Sequence, residues 1–364
     1  MPPAPSSSRA LAAILPQIAS GQAYEAHQKA RTFASRYVKS AQYDTAIDVL
    51  FQSARELLKA GQPGSGTDLA SFLLDVYESK GERVTDESRG MLTQLIALTG
   101  SSGTWRKTLI DKAIVWTAKA GPCPTGDQEL HHYAGELFYK EGAFILAETH
   151  LLSAGKRDSA RLLAQMLSEW WQASSPPSSP GLYALRGTLP YLLNGNIIAS
   201  RTFITHFVSL VTAHQTSLRS PLAREPLPVP NSSDEILITT DHILNFLQLA
   251  VRTCQRAQGG ANKKAQEAWV RLCGTYLSKG GELAKPDIRR HLNDIATLFF
   301  AIPQPRSQAA NPFGEMLSSL FGSPPTTVAG PRVLMPGTEA ADSVCSSVID
   351  AISVGVNEHM SFNS

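Results

Sequence analysis

The chain has 364 residues, 43% of them hydrophobic, enough to bury a core as two domains or as one long helical array. Its net charge of +2 excludes a protein that attracts nucleic acid through overall charge, so any electrostatic recognition must come from a local patch. The four cysteines stand at no Cys-x-x-Cys spacing, which argues against a zinc or redox motif and fits a reducing cytosol.

The N-terminus shows no secretion signal. Residues 1–8 are rich in Pro and Ser and predict disorder, with no basic segment followed by an apolar one. The longest apolar stretches, such as Leu298 to Ile302, fall far short of the about 20 residues that span a bilayer. We therefore expect a soluble, cytosolic chain.

Residues 9–155 predict the first half of a helical array, with a break at Gly61 to Gly64 before a helix starting near Thr67. In the second helix, the spacing of Ala26, Ala30, Phe33 and Tyr37 predicts a core-facing stripe, and Pro16 predicts a kink or a break in the first. Phe72 is among the residues predicted to be buried in the helix after Thr67. Further helices are predicted from Tyr43 to Ala60, Met91 to Leu98, Trp105 to Ala118, Leu130 to Lys140 and Ala143 to Ser153.

Residues 156–302 predict a second helical half that contains one strand. Three adjacent aliphatic residues in Glu235 to Thr240 predict the strand, within a β-hairpin near 232–240, and Asp241 is placed to cap the next helix. Residues 172–181 are predicted to be a linker or a long loop, and the prolines of 217–234 predict an extended segment. Helices are predicted from Ser159 to Trp171, Leu182 to Leu193, Ile197 to Thr216, His242 to Arg256, Lys263 to Ser278 and Pro286 to Phe300.

The tail at 303–364 is rich in Pro and predicts disorder in most of its length. Phe313, Met316, Leu317 and Leu320 share one stripe within it, which indicates a short helix that binds a partner or docks on the folded body.

A local pattern occurs three times: a small residue, usually an aromatic two positions later, and an alanine five positions later; the first copy has Ala23 at the aromatic position. It starts at Gly21, Ala41 and Gly142, and it is typical of closely packed tetratricopeptide-like hairpins. The strict 34-residue period is missing, so the predicted fold is all-α, an irregular α-solenoid with one small β-hairpin insertion in the C-terminal half.

No catalytic motif is evident, and we predict no enzyme, cofactor or metal site. The run from Gly61 to Thr67 lacks the lysine that a phosphate-binding loop requires and is interpreted as a turn. His131, His132 and His150 lack metal-ligand spacing, and no Gly-x-Ser-x-Gly elbow is present. A solenoid without such chemistry favours protein binding.

The second helix carries a candidate binding stripe beside its core stripe. Tyr24, His27, Gln28 and Arg31 share it, and Tyr with Arg is a typical composition of interface hot spots. Arg36 adds positive charge further along the helix. An ordinary solvated helix face remains the alternative interpretation on these residues alone.

A series of ordered runs resembles the Golgi-to-ER traffic protein 4 family over roughly residues 9–322, with departures at 172–181 and 217–234 and no match beyond about 323. The runs are Tyr24 to Gln28, Arg31-Thr32, Ser35 to Val38, Gly64 to Leu69, Leu73 to Tyr77, Leu130-His131, Glu141 to Phe144, Ala147-Glu148, Asp158-Ser159, Trp170, Tyr191-Leu192, Asn196-Ile197, Asn245 to Leu249, Thr253-Cys254 and Met316 to Gly322.

The resemblance implies a non-catalytic adaptor for tail-anchored membrane proteins bound for the endoplasmic reticulum. Its N-terminal half would bind the tail-anchor-targeting ATPase, favouring the ATP-bound, client-ready state. Its C-terminal half would hold a ubiquitin-like-domain protein, which recruits a tetratricopeptide co-chaperone. A helical scaffold subunit of another large complex is the alternative.

Two sets of contact residues are expected from the resemblance. Those for the ATPase are Tyr24, His27, Gln28, Arg31, Arg36 and Tyr37, although the helical spacing also places Tyr37 inward. Those for the ubiquitin-like partner are Ile236, Leu237 and Ile238 on an exposed hairpin, with Phe246 and Leu249 on the following helix.

Overall fold

The computed structural model describes residues 7–175, 178–223, 225–229 and 234–304. Within these ranges lie fourteen α-helices and one antiparallel pair of short strands. The helices are α1 (Ser8–Ala19), α2 (Ala23–Lys39), α3 (Tyr43–Lys59), α4 (Pro63–Lys80), α5 (Asp86–Leu98), α6 (Trp105–Ala120), α7 (Gln128–Lys140), α8 (Phe144–Ala154), α9 (Arg157–Gln172), α10 (Pro180–Leu193), α11 (Ile197–His214), α12 (His242–Gln255), α13 (Lys263–Leu277) and α14 (Pro286–Phe300). The strands are β1 (Leu227–Pro228) and β2 (Glu235–Ile236), and short 3₁₀ segments lie at Thr216–Leu218, Gln258–Gly260 and Glu282–Ala284.

The chain divides into two compact units, one ending at Lys156 and the other beginning at Arg157. In the first unit, α2 packs on α3, α3 on α4, and α7 on α8. In the second, α9 and α10 pack on α11, and α12 contacts α10, α11 and α13. The predicted fold class is confirmed within each unit, since helices pair with their neighbours and a single small β-hairpin is inserted in the second.

The turns between paired helices share one geometry. At the three predicted repeats, Gly21, Ala41 and Gly142 have positive φ, and the following N–H donates to the carbonyl five residues back at 2.8–2.9 Å. This is the Schellman arrangement, which favours glycine because φ is positive. The alanines five positions on are fully buried, namely Ala26, Ala46 and Ala147.

Further copies of this turn, at Gly61, Gly81 and Gly195, were not predicted. After Gly61 and Gly195, the buried alanine of the pattern is replaced by another small residue, Gly66 or Ser200. A Cβ added at Gly66 would lie 2.5 Å from Leu58 Cγ, so only glycine fits where α3 and α4 cross. Small size, rather than alanine itself, is therefore what these crossings require.

Several predicted boundaries are corrected. The break at Gly61 to Gly64 is shorter than predicted, because Pro63 opens α4, where its missing N–H has no helical partner to lose. Helix α5 begins at Asp86 rather than Met91, since Thr85 and Ser88 cap each other's backbone N–H. Helix α1 continues through Pro16 without a break.

The predicted core stripes need a similar correction. Phe33, Tyr37 and Phe72 are only half-buried, whereas Ala34 is fully buried beside Ala26 and Ala30. The helices approach each other so closely that alanine, rather than an aromatic residue, occupies the central contact.

Some predictions fall on parts of the chain that the structure does not describe. These include residues 1–6 and the tail from 305 onward, with its stripe at 313–320. Of the predicted N-terminal segment, Ser8 already begins α1. Within the described ranges, no helix is both long and apolar enough to cross a bilayer.

Candidate protein-binding surfaces

The first candidate surface lies on neighbouring helices of the first unit. Helix α2 contributes Tyr24, His27, Gln28 and Arg31, and α4 contributes Asp68 and Phe72; we refer to these six residues as the α2–α4 surface. Asp68 and Phe72 stand four residues apart, so both lie on one face of α4.

A polar network joins the two helices across this surface. His27 Nε2 lies 2.7 Å from Asp68 Oδ2, and Arg31 Nη1 donates to the same oxygen. Partial burial acts to raise the pKa of Asp68, but the hydrogen bonds from His27 and Arg31 outweigh it and lower that pKa. The Arg31 guanidinium also lies 5.4 Å from the centre of the Phe72 ring, a cation–π contact. These contacts fix the Arg31 side chain before any partner arrives.

The surface is open to solvent. Tyr24 is 69% exposed, and the side chains of Arg31 and Asp68 are 43% and 45% exposed. His27 is largely buried beneath them, so it orients Asp68 more than it presents itself. A preorganised Tyr–Arg–Asp group with this exposure has the chemistry of an interface hot spot.

The other two residues predicted for the ATPase, Arg36 and Tyr37, take no part in the polar network between α2 and α4. Arg36 lines a shallow groove with Gln28, Lys29 and other side chains of α1 and α2. Tyr37 is half-buried and stacks on Phe33, with their ring centres 6.5 Å apart.

The α2–α4 surface continues along α4 towards Trp105. A Cβ built on Gly64, one turn before Asp68, would lie 3.6 Å from Trp105 Cζ2, so the indole rests on the bare backbone of α4. Trp105 is 44% exposed. The next residue, Arg106, is buried and donates to the carbonyl of Thr99 at 2.5 Å, which anchors the start of α6.

Sequence analysis missed Asp68, Phe72 and Trp105 as surface residues. The available signal was the four-residue spacing of Gly64, Asp68 and Phe72, which marks one face of a helix. That spacing was obscured because Gly61 to Thr67 was interpreted as a turn.

The second candidate surface is the β-hairpin of the second unit. β1 and β2 pair Leu227 with Ile236, and a bridge joins Arg219 to Thr239. The predicted exposure of its aliphatic residues is corrected: Ile236, Phe246 and Leu249 are 3%, 0% and 2% exposed. They fill the core beneath the hairpin. Leu237 and Ile238 are half-exposed and remain available to a partner.

Side chains of α12 close one edge of the hairpin strand. Gln248 accepts from the N–H of Leu237 at 3.1 Å and donates to its carbonyl at 2.9 Å. Asn245 does the same for Thr239, at 2.9 and 2.7 Å. The two amides therefore replace the hydrogen bonds of a neighbouring strand. On the other edge, the carbonyl of Ile238 accepts from the N–H of Ser220 at 3.0 Å.

Buried charges hold the base of the hairpin. Asp234, which precedes β2, pairs with Arg201 of α11 and, at 2.7 Å, with Arg252 of α12. Burial lowers the pKa of Arg252 to about 10; Asp234 opposes this shift, while Arg201 and Arg256 add to it. The cations of this site are thus more numerous than its carboxylates.

A buried histidine pair lies in the first unit, between α7 and α8. His131 Nδ1 and His150 Nδ1 are 2.9 Å apart, and His131 Nε2 lies 3.0 Å from the carbonyl of Thr125. A carbonyl only accepts, so His131 donates from Nε2, and His150 donates from Nδ1. Burial and the neighbouring His131 lower the pKa of His150 to about 4. In the described ranges no group of three His, Cys, Asp or Glu side chains could hold a metal ion.

Comparisons with known proteins agree on one family. The family model described as "Golgi to ER traffic protein 4" matches residues 40–321. A protein of that name from Aspergillus fumigatus is 34% identical over 320 residues, covering 84% of this chain and 87% of the relative. The Schizosaccharomyces pombe relative is 30% identical, covering 83% of this chain and 92% of the relative. The Homo sapiens homologue is 25% identical, covering 83% of this chain and 83% of the homologue. The crystal structure of C. therm. Get4 matches with a TM-score of 0.73 and 32% identity, covering 89% of this chain and 99% of that one.

Proposed function

The chain belongs to the Golgi to ER traffic protein 4 family, and on this premise we propose that it is a non-catalytic adaptor that works in the cytosol. It bridges a tail-anchor-targeting ATPase and a ubiquitin-like-domain protein, which in turn recruits a co-chaperone with its tail-anchored client. The observation that carries the proposal is the preorganised α2–α4 surface, whose exposed Tyr24 and fixed Arg31 suit a protein partner.

The ATPase binds the α2–α4 surface. Arg31 is held by Asp68 and Phe72, so little side-chain entropy is lost when a partner contacts it. Binding at a site fixed in this way favours the partner conformation that fits it, which is the ATP-bound, client-ready state.

Charge reversal at Arg31 tests this assignment. We expect Arg31→Glu to weaken the ATPase at least about 30-fold, the effect of losing one hot spot, with stability changed by less than about 1 kcal/mol. Arg161→Glu is a matched control, because Arg161 is 49% exposed and also paired with an acid, Asp158. Dissociation constants come from calorimetry and stability from thermal unfolding. An unchanged dissociation constant would remove Arg31 from the site.

Trp105 extends the same surface and gives a second measure of its size. Asp68 lies only about 6 Å along α4 from the Gly64 backbone on which the indole rests. We expect Trp105→Ala to weaken the ATPase about tenfold. Ile145→Ala, at another exposed apolar residue of the same unit, should have no effect. Equal effects of the two variants would confine the site to α2 and the middle of α4.

The ubiquitin-like partner binds the hairpin through Leu237 and Ile238. Ile236, Phe246 and Leu249 support these residues from below, since all three are buried within this chain. Because the backbone of 237–239 already pairs with Asn245 and Gln248, recognition depends on side chains and adds no strand at that edge.

Replacing Leu237 and Ile238 together by serine tests the hairpin without disturbing its backbone pairing. We expect the double variant to lose the ubiquitin-like partner in co-purification and to bind the ATPase normally. The Arg31→Glu variant should show the reverse pattern. A double variant that retains the ubiquitin-like protein would exclude the hairpin as its site.

A further inference from the structure

The base of the hairpin gathers basic side chains from neighbouring helices. Helix α11 presents Arg201 and, one turn later, Thr205, while α12 presents Arg252, with Arg256 one turn later at the C-cap of α12. Asp234 lies between Arg201 and Arg252, and each of its carboxylate oxygens pairs with one of them. We refer to these three arginines with Asp234 as the arginine cluster.

The cluster holds three guanidinium groups and one carboxylate. Arg256 Nη1 donates to the backbone carbonyl of Arg252 at 3.4 Å, and Arg256 forms no ion pair within the ranges that the structure describes. Glu235 adjoins Asp234 in the chain, but it points to the opposite, exposed side of the strand. Within the described ranges, Asp234 therefore supplies one negative charge for the three positive charges of the cluster.

Arg252 also keeps an unused donor. Its side chain is only 6% exposed, and Nη1 lies 2.7 Å from Asp234 Oδ2 but outside hydrogen-bond geometry, leaving this buried atom without a hydrogen-bond partner. Nη2 reaches Thr205 Oγ1 only at 3.4 Å. A buried guanidinium with an unsatisfied N–H is costly unless another acceptor approaches it.

We propose that the arginine cluster binds an oxyanion, a carboxylate or a phosphate, between Arg201 and Arg256 at the base of the hairpin. The planar guanidinium fork suits both anions, since each offers two oxygens to parallel N–H groups. The carboxylate would come from an acidic side chain of the segment that the hairpin holds, and the phosphate from solution. Arg201, with a 39% exposed side chain, gives the anion access from outside.

Thermal unfolding of the full chain in inorganic phosphate tests the site, with ionic strength held constant by chloride. We expect a saturable rise in the midpoint of about 2–4 °C for the wild type. Arg256→Gln should abolish the rise without unfolding the chain, because Arg256 takes part in no ion pair with the described residues. Arg161→Gln, an exposed arginine in the same unit, should leave the rise intact. An equal rise in all three proteins would overturn the proposal, since phosphate also stabilises proteins by exclusion from their surfaces.

Repeating the titration on the complex with the ubiquitin-like protein distinguishes the two sources. If the partner supplies a carboxylate, the complex no longer responds to phosphate and Arg256→Gln weakens the complex about tenfold. If the ion comes from solution, the complex responds as the free chain does. Only the titration of the complex depends on the proposed partner. If that partner is wrong, the titration of the free chain still supports or overturns the anion site.

Discussion

The α2–α4 surface and the hairpin base use the same pair of residue types in opposite environments. At the first, Arg31 and Asp68 are both more than 40% exposed. At the second, Arg252 and Asp234 are 6% and 8% exposed. Exposed ion pairs contribute little to stability, whereas breaking a buried pair leaves an uncompensated charge. Substitutions should therefore separate binding from folding at the first region and couple them at the second.

The largest expected effect is at the buried pair. Asp234→Ala leaves Arg201 and Arg252 without their counterion, and we expect a loss of about 3–5 kcal/mol in the free energy of unfolding. Urea unfolding measures the loss, and Asp158→Ala at an exposed pair should change stability by less than about 0.5 kcal/mol. A loss below about 1 kcal/mol for Asp234→Ala would break the comparison.

The buried histidine pair lies in the first unit. It therefore tests whether burial, rather than the unit in which a group lies, determines how strongly its charge affects stability. The folded pKa of His150 is about 4, below its usual 6.5, so the unfolded state takes up a proton first as the pH falls. Its stabilising contribution is complete above pH 6.5 and is lost down to about pH 4. We expect about 3 kcal/mol of stability to disappear across that window.

Urea unfolding of His150→Leu at several pH values is the matching measurement. The variant starts less stable, because His131 Nδ1 loses its donor, but it should lose less stability between pH 6.5 and 4. If the free energy of unfolding depended on pH equally in wild type and variant, the lowered pKa of His150 would be contradicted.

A smaller effect is expected at the strand edge. Asn245→Ala removes both amide contacts to the Thr239 backbone, and we expect a loss of about 1–3 kcal/mol. Hydrogen exchange at the Thr239 amide should accelerate, while the Ser220 amide, bonded on the opposite edge, should change less. Unchanged exchange at Thr239 would show that the strand does not depend on α12.

The smallest effect on stability is expected at Asp68. Asp68→Asn removes the charge that holds Arg31 while keeping the side-chain shape, and stability should fall by less than about 1 kcal/mol. The low pKa of Asp68 makes even this contribution acid-sensitive: it is present above the usual carboxyl pKa and is lost as the pH falls through the folded value. Affinity for the proposed ATPase partner should nevertheless fall. A stability loss as large as that of Asp234→Ala would erase the distinction between the regions.

The sequence predicts what depends on local spacing. The candidate stripe on α2 follows from helical periodicity, and its four members share one side of that helix in the structure. The pairing of Asp68 with Arg31 does not follow from periodicity, because Asp68 lies on a different helix 37 residues away. The helix starts at Pro63 and Asp86 were missed because the first turns of α4 and α5 precede any apolar period.

The burial of residues in and beneath the hairpin could not be predicted from sequence periodicity, for a different reason. Ile236, Phe246 and Leu249 are apolar, and an apolar side chain has the same pattern whether it packs in its own core or against a partner. Only the fold shows that these three are interior and that Leu237 and Ile238 are accessible. The roles of Asn245 and Gln248 were also hidden, since a polar residue on a helix is usually solvated.

The amides of Asn245 and Gln248 also affect the tendency of the isolated chain to aggregate. A strand with an open edge is a template on which other chains can pair and aggregate. Here the backbone of Leu237 and Thr239 is already occupied by side chains of the same molecule. The strand at 237–239 can therefore expose apolar side chains without exposing a free backbone edge, and we expect newly made chains to remain dispersed.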